Sequence, residues 1–286
     1  MELAPRIVAL TGRRVTGLRP LAGGSVATVC KVEFADGPPL VAKTGSAPEA
    51  LACEAWMLAT LMTSSALPVP EVVASEDGLL LLSWLPCDGS LDRSAQMHAA
   101  ELIAALHAIT AETFGLERDT VIGGLPQPNA RSKYWLPFFA EHRLLHMARL
   151  ARDAHELSAG TARRVERLAS RLERSLIEPQ QPALLHGDLW SGNVLCAAGA
   201  QGSRISGFID PAIYYGDAEI ELAFAGMFGS FGEPFFARYR ELRPIAEGFF
   251  EERRDLYTLY PLLVHVRLLG GGYADEVERL LHRFGA

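Results

Sequence analysis

The 286-residue chain carries 27 Lys and Arg against 34 Asp and Glu, a formal charge of −7, with 49% apolar and 21% charged residues. This is globular rather than disordered composition, and its acidity speaks against a broad basic face for nucleic acid or an anionic membrane. No stretch approaches the ~18 uninterrupted apolar residues of a membrane span, and the length predicts about two lobes with cores of their own. The N-terminal Met1-Glu2-Leu3-Ala4-Pro5-Arg6 lacks a basic start followed by an apolar run, so no secretory signal is expected. Cys30, Cys53, Cys87 and Cys196 are isolated, which predicts reduced thiols in a cytoplasmic protein rather than a disulfide framework or a zinc site.

The first third reads as β-rich. A glycine-containing loop, Leu21-Ala22-Gly23-Gly24-Ser25, precedes short apolar runs at Val26–Phe34 and Leu40–Lys43, which are separated by the turn residues Ala35-Asp36-Gly37-Pro38. Leu51, Ala55, Leu58, Leu61 and Met62 then recur at helical spacing within 47–64. Glu71–Ser75 and Leu79–Ser83 form a second strand pair around Glu76-Asp77-Gly78. After Trp84-Leu85-Pro86 the pattern turns helical, at 94–110, 136–150, 161–177, 234–243, 246–269 and 274–284. Pro182–Val194 and Ile205–Asp210 interrupt it as loop-and-strand segments, and 197–203 reads as a flexible hairpin loop. The expected organisation is a small β-rich lobe at 1–83, a hinge at 84–91 and a larger helical lobe at 92–286.

The sharpest chemical signal is His186-Gly187-Asp188-Leu189-Trp190-Ser191-Gly192-Asn193. Its Asp-to-Asn spacing matches the kinase catalytic-loop pattern. Phosphoryl transfer calls for a carboxylate that orients or accepts the proton of an attacking hydroxyl, here Asp188, and for an amide oxygen that helps hold a metal, here Asn193. Asp210, in Ile209-Asp210-Pro211, follows at a distance that suits a hairpin return, and its oxygens suit Mg2+ among nucleotide phosphates. A lone Asp in a loop is more often a turn or cap residue; the full octapeptide, the second Asp and the preceding β-lobe favour catalysis. His186 is expected to fix the loop by hydrogen bonds rather than move protons. Lys43, in Val41-Ala42-Lys43, resembles the strand lysine that contacts the α and β phosphates. Glu54 on the following helix is its expected partner, with Glu49 as competitor. Gly23-Gly24-Ser25 suits a phosphate-covering loop and is not a Walker loop, since no Gly-Lys-[Ser/Thr] follows.

The chain resembles the fructosamine-3-kinase, or ketosamine kinase, family over nearly its whole length. The likeness rests on Gly23-Gly24-Ser25, on Tyr134-Trp135-Leu136-Pro137-Phe138-Phe139-Ala140-Glu141-His142-Arg143 and on 186–193. It continues through Asp210-Pro211-Ala212-Ile213-Tyr214-Tyr215-Gly216-Asp217, Tyr260-Pro261-Leu262-Leu263-Val264-His265 and Gly270-Gly271-Gly272-Tyr273. The resemblance implies an α+β, bilobal protein-kinase-like fold of the aminoglycoside-phosphotransferase type, with ATP and Mg2+ as cofactors. It implies phosphorylation of a sugar hydroxyl, typically O3, on a fructosamine, ribulosamine or erythrulosamine adduct, and hence deglycation. Under it Asp188 is the base, Asn193 and Asp210 are metal ligands, Lys43 contacts phosphates, Glu54 positions Lys43, and Ser83-Trp84-Leu85 forms the adenine-facing hinge. The chain departs from the family at Ser25, where many members have Cys, and at Ala218, where Arg is common.

For the substrate, Trp190 offers an aromatic face to a sugar, while Asp217 and Glu219 offer charge attraction for a protonated amine. Their alternative roles are core packing and placement at a helix N-terminus. Trp135, Phe138-Phe139 and Phe249-Phe250 are expected in the core. The expected partner is a small ketosamine or a glycated amine or protein, with no nucleic acid, membrane or obligate protein partner. A kinase for another small alcohol (an aminoglycoside, choline or homoserine) is the competing enzyme reading, and a nucleotide-binding pseudokinase the competing non-enzyme one.

Overall fold

The computed structural model describes residues 2–21 and 27–286, so the expected glycine loop at Gly23, Gly24 and Ser25 lies outside the described residues. The chain divides into two compact units, Met1–Ala95 with Val194–Pro211, and Gln96–Asn193 with Ala212–Ala286.

The first unit opens with α1 (Leu3–Thr11), β1 (Val15–Pro20), β2 (Thr28–Phe34), β3 (Leu40–Thr44), α2 (Pro48–Ser64), β4 (Val72–Glu76) and β5 (Leu79–Ser83). Its strands form an antiparallel sheet in the order β1-β2-β3-β5-β4. Leu79-Leu80-Leu81-Leu82 of β5 explains how the unit is layered, because successive strand residues face opposite ways. Leu79 and Leu81 pack with Ile7 of α1, Val32 and Ala42, while Leu80 and Leu82 pack with Leu51, Ala55 and Leu58 of α2. An uninterrupted apolar run is what a strand covered on both faces requires. Pro48 begins α2, where its missing N–H costs nothing. At the β4–β5 turn Asp77 and Gly78 both take positive φ (24° and 76°), as a tight hairpin demands.

The second unit begins within α3 (Arg93–Leu106), followed by the hairpin β6 (Thr120–Ile122) and β7 (Leu125–Gln127). Then come α4 (Trp135–Phe139), α5 (His146–Asp153), α6 (Ala159–Ala169) and β8 (Ala183–Leu185). A π-helical turn at Ala140–Leu145 joins α4 to α5 without leaving helical backbone, so the helix expected over 136–150 is present with a widened turn inside it. The next hairpin, β9 (Val194–Ala197) with β10 (Arg204–Phe208), belongs to the first unit. Hydrogen bonds hold it there, among them Gly89 N–H to Cys196 O (2.9 Å), Ser203 N–H to Asp92 Oδ2 (2.8 Å) and Phe208 N–H to Pro68 O (2.8 Å).

The chain then resumes the second unit with β11 (Tyr214–Gly216), which pairs antiparallel with β8. It ends with α7 (Ala218–Ala225), α8 (Glu233–Leu242), α9 (Arg254–Leu269) and α10 (Tyr273–Arg283). Trp135 is fully buried, stacked with Phe138 and Phe139 at 5.6 and 5.5 Å between ring centroids, and Phe249 is buried as well. These aromatics are core, as their helical spacing indicates. Among the described residues, no helix is long and apolar enough to cross a membrane.

Candidate active site

Lys43 lies near the end of β3 with 7% of its surface exposed. Its ammonium donates to Glu54 Oε1 of α2 at 2.6 Å and to Asp210 Oδ1, so one cation is shared by two carboxylates. Glu54 is the carboxylate that reaches Lys43, while Glu49 is exposed one turn earlier. Burial alone would lower the Lys43 ammonium, but Asp210 and Glu54 outweigh it and hold it above the ordinary lysine range. Burial pushes the Glu54 carboxyl up, to about 7, against the pull of Lys43 and with the repulsion of Asp210 added. Asp210 has φ +53°, an uncommon backbone state for a residue with a side chain. Such strain persists where the surroundings over-determine it and is typical of functional positions.

In the second unit β8 delivers the chain into His186-Gly187-Asp188, and a short 3₁₀ turn, Ser191–Asn193, closes the loop. Asn193 Nδ2 donates to Asp188 Oδ2 at 2.8 Å and to the Asp188 backbone oxygen at 2.9 Å. The spacing of five thus lets the Asn fix the rotamer of the Asp, and leaves its own amide oxygen as the atom to offer a metal. Asp188 itself is half-buried. His186 is fully buried, and the Asp188 N–H points to its Nδ1 at 3.4 Å, in keeping with a structural histidine.

The residue that sequence reasoning missed is Glu221, 2% exposed, in the middle of α7. Its carboxylate accepts the His186 N–H at 3.1 Å, the Gly187 N–H at 2.5 Å and His107 Nε2 at 2.9 Å, while His107 Nδ1 meets the Tyr239 hydroxyl at 2.7 Å. Burial alone would raise the Glu221 carboxyl, but these donors hold it below its ordinary range. The available signal was a lone carboxylate in the apolar run Ile220-Glu221-Leu222-Ala223-Phe224-Ala225, because a buried charge must be paired.

Ser83 ends β5, and its Oγ accepts the Glu71 N–H at 2.9 Å. The Trp84 ring lies under Lys31 Nζ at 4.4 Å from its centroid, and Leu85 packs so closely on Gly207 that a Cβ there would lie 2.2 Å from its Cδ1. Trp190 is half-buried and folded over Gly192, where a Cβ would meet the indole at 2.3 Å. Asp217 and Glu219, expected to offer charge attraction for an amine, both have internal partners. Asp217 is buried, caps α7 through the Glu219 N–H (3.0 Å) and accepts the Tyr257 hydroxyl at 2.5 Å. Glu219 accepts Arg253 Nε–H and Nη2–H on its two oxygens, at 2.6 and 2.8 Å. Both carboxylates thus stand at the N-terminus of α7, the alternative placement given for them.

Among the described residues no group of three or more His, Cys, Asp or Glu is placed to hold a metal ion unaided. The Asn193 amide oxygen in the second unit and the Asp210 carboxylate in the first are each the kind of oxygen donor that Mg2+ takes beside phosphate and water.

A Lys–Glu–Asp cluster in a β-sheet unit and a His-Gly-Asp…Asn loop in a helical one are the marks of a phosphotransferase of protein-kinase-like fold. The chain belongs to the fructosamine kinase family, whose model matches residues 5–285. It is 37% identical over 235 residues to a probable ketoamine kinase from Synechocystis, covering 82% of this chain and 76% of that one. The crystal structure of a protein assigned as a fructosamine-3-kinase from Thermobifida fusca superposes with a TM-score of 0.82, at 35% identity and over 99% of both chains. An aminoglycoside phosphotransferase solved with AMP-PNP and hygromycin B shares the fold, with a TM-score of 0.66 at 18% identity over 99% of this chain and 96% of that one. The fold is therefore α+β and kinase-like, and the activity is ATP-dependent phosphorylation of a ketosamine.

Proposed function

We propose that Asp188 is the base that accepts the proton of the ketosamine O3 hydroxyl as that oxygen attacks the γ-phosphorus of ATP. The O3–P bond forms, the bond from the γ-phosphorus to the bridging oxygen breaks, and ADP leaves. The single observation that carries this reading is the Asn193 hydrogen bond to Asp188 Oδ2 at 2.8 Å. It fixes the carboxylate on a loop that Glu221 pins from behind, and a pre-set base is what positional catalysis needs. Asn193 and Asp210 would hold Mg2+, which when bound neutralises charge on the phosphates. Lys43 would contact those phosphates, with Glu54 setting its direction. Gly23-Gly24-Ser25 would cover the phosphates and Ser83-Trp84-Leu85 would face the adenine. Residues 1–83 then act as the nucleotide lobe, 84–91 as the hinge and 92–286 as the catalytic and substrate lobe, with Trp190 against the sugar. Loss of the 3-phosphate product's amine would make the outcome deglycation. Cys30, Cys53, Cys87 and Cys196 stand as thiols, which supports a reducing, cytoplasmic setting.

Asp188→Asn keeps the size and one oxygen of the side chain and removes the base. Turnover, read as ADP release across fructosamine, ribulosamine and erythrulosamine, is expected to fall by about two to four orders of magnitude. A folded variant with near-normal turnover would reject the assignment. NMR of the wild-type product decides the position: phosphate on any carbon other than C3 removes the O3 proposal.

A further inference from the structure

Beyond Asp188 the second unit carries a feature that phosphoryl transfer does not use. Ser191 is fastened to Ser230, through its N–H at 3.1 Å and its hydroxyl at 3.2 Å, so the turn Met227–Gly229 is tied to the catalytic loop. At the crown of that turn Phe228 takes φ 56°, ψ 21° and leaves 50% of its surface exposed. A bulky side chain is rarely tolerated in that conformation, and an exposed ring held there points to a use for it. The Phe228 ring meets Trp190 edge-on at 6.3 Å between centroids, His265 at 5.0 Å and Tyr273 at 6.4 Å. Aromatic surface therefore runs unbroken from the loop of Asp188 to α9 and α10.

Past Phe228 and Tyr273 a groove of about 650 Å³ opens, with Leu262 and Leu280 among its apolar lining and Thr258 and Arg254 further along α9. Helices α9 and α10 run antiparallel beside it, as the pairs His265 with Tyr273 and Asp255 with Arg283 show. At 1.5 Å per residue, the stretch of α9 from His265 back to Arg254 spans about 16 Å. An extended chain covers that distance in about five residues.

We infer that this groove docks the polypeptide that carries a glycated lysine, with Phe228 at its threshold. The inference rests on the reading of Asp188 as the base acting on the sugar hydroxyl. Length is one reason for this occupant, and continuity with the catalytic loop is the second. Chemistry is the third, since aromatic rings and arginines around an apolar floor are what protein-binding surfaces favour. The groove's carboxylates are already engaged, Asp255 by Arg283 and Glu276 by Arg279. Arg254 is held loosely, 3.6 Å from Asp255, and so favours a peptide with an acidic residue towards that end.

The test compares glycated Nα-acetyl-lysine with a glycated peptide of about seven residues bearing an acidic end. The wild type is expected to favour the peptide by about tenfold in kcat/KM, through KM, which corresponds to burying roughly two methylene groups. Thr258→Trp fills the groove and is expected to erase that preference while leaving the small ketosamine unchanged. Equal kcat/KM for the two substrates in the wild type, or a preserved preference in the Trp variant, overturns the proposal. Should the Trp variant lose both activities, Arg254→Glu decides: a KM raised for the acidic peptide alone supports docking, and no change rejects it. Anisotropy of a fluorescein-labelled glycated peptide reads docking without turnover. Binding lost on groove substitution with no phosphate transferred by the wild type would fault the Asp188 reading and keep the groove. An altered oligomeric state with peptide binding intact would assign the groove to a second copy and overturn the proposal.

Discussion

Gly187→Ala asks whether the catalytic loop is set by backbone contact. Gly187 has φ +87°, and a Cβ there would lie 2.0 Å from the Ala212 carbonyl oxygen and 2.6 Å from its carbon. Ala212 is not free to retreat, because its N–H donates to His186 O at 2.7 Å and its oxygen accepts from Gln127 Nε2 at 3.0 Å. Ordinary contact begins near 3.4 Å, so the loop or its support must shift by more than 1 Å. A misplacement of about 1 Å costs on the order of 10²-fold in rate. The positive φ adds about 1–2 kcal/mol for a residue with a side chain, and one lost buried hydrogen bond adds about 1–3 kcal/mol. The expected variant is thus destabilised by about 2–5 kcal/mol in urea unfolding, with kcat for ADP release reduced about 100-fold. Gly12→Ala is the control: its φ is +66° but nothing lies within 4 Å of the added Cβ. It should bear the backbone cost alone and keep wild-type kcat. Equal effects in the two variants, or wild-type turnover in Gly187→Ala, would refute the reasoning.

Two further substitutions probe the buried carboxylates of α7. Glu221→Gln turns an amide N–H₂ towards backbone donors, so a loss of about 3–5 kcal/mol is expected; kcat should fall with it, and a variant with unchanged urea midpoint and kcat would remove Glu221 from the loop's support. Asp217 is pushed up to about 7 by burial and by Glu219, against the Tyr257 and backbone hydrogen bonds. A raised carboxyl stabilises the fold below its unfolded pKa near 3.8 and loses that contribution as pH rises through about 7. Wild-type stability should therefore fall by a few kcal/mol between about pH 4 and 8 from this group. Asp217→Asn, which still caps a helix, should flatten that slope; identical pH profiles would count against it.

How much of this was legible in the sequence follows from the range of the interactions. The Asp188–Asn193 bond spans five residues, so its pattern survives in one dimension, as does the apolar run of β5. Lys43 and Glu54 were legible because a strand followed by a helix has few ways to return a carboxylate. Glu221 was not, since what it serves is the backbone of His186 and Gly187, and backbone donors carry no sequence signature. The same helix α7 escaped notice for a related reason: its residues from Ile220 to Ala225 are all buried, so it lacks the one-sided period that marks a surface helix. The partners of Asp217 and Glu219 were not legible, because a charge in a sequence does not disclose its partner, here a tyrosine hydroxyl and an arginine 34 to 40 residues away. α1 and β1 gave little signal because α1 buries Ile7 alone and β1 has Gly17 and Pro20 interrupting its alternation.

Asp217 and Glu221 also link the Tyr134–Arg143 stretch to the His186–Asn193 loop, which is remote from it in sequence. Trp135 Nε1 donates to the Tyr257 hydroxyl at 2.9 Å, and that hydroxyl donates to Asp217 at the start of α7. One turn later the same helix presents Glu221 to the backbone of His186 and Gly187. A helix is stiff over so short a distance, so fixing its first residue in the aromatic core fixes where Glu221 stands. The opposite pKa directions fit this division of labour. Glu221 has an imidazole and two N–H donors that favour its charge over the cost of burial, whereas for Asp217 burial and the neighbouring Glu219 outweigh the Tyr257 hydroxyl and push the carboxyl up. The aromatic core thus reaches the Asp188 loop through α7, by deciding the position of Glu221, whose carboxylate holds the backbone of His186 and Gly187.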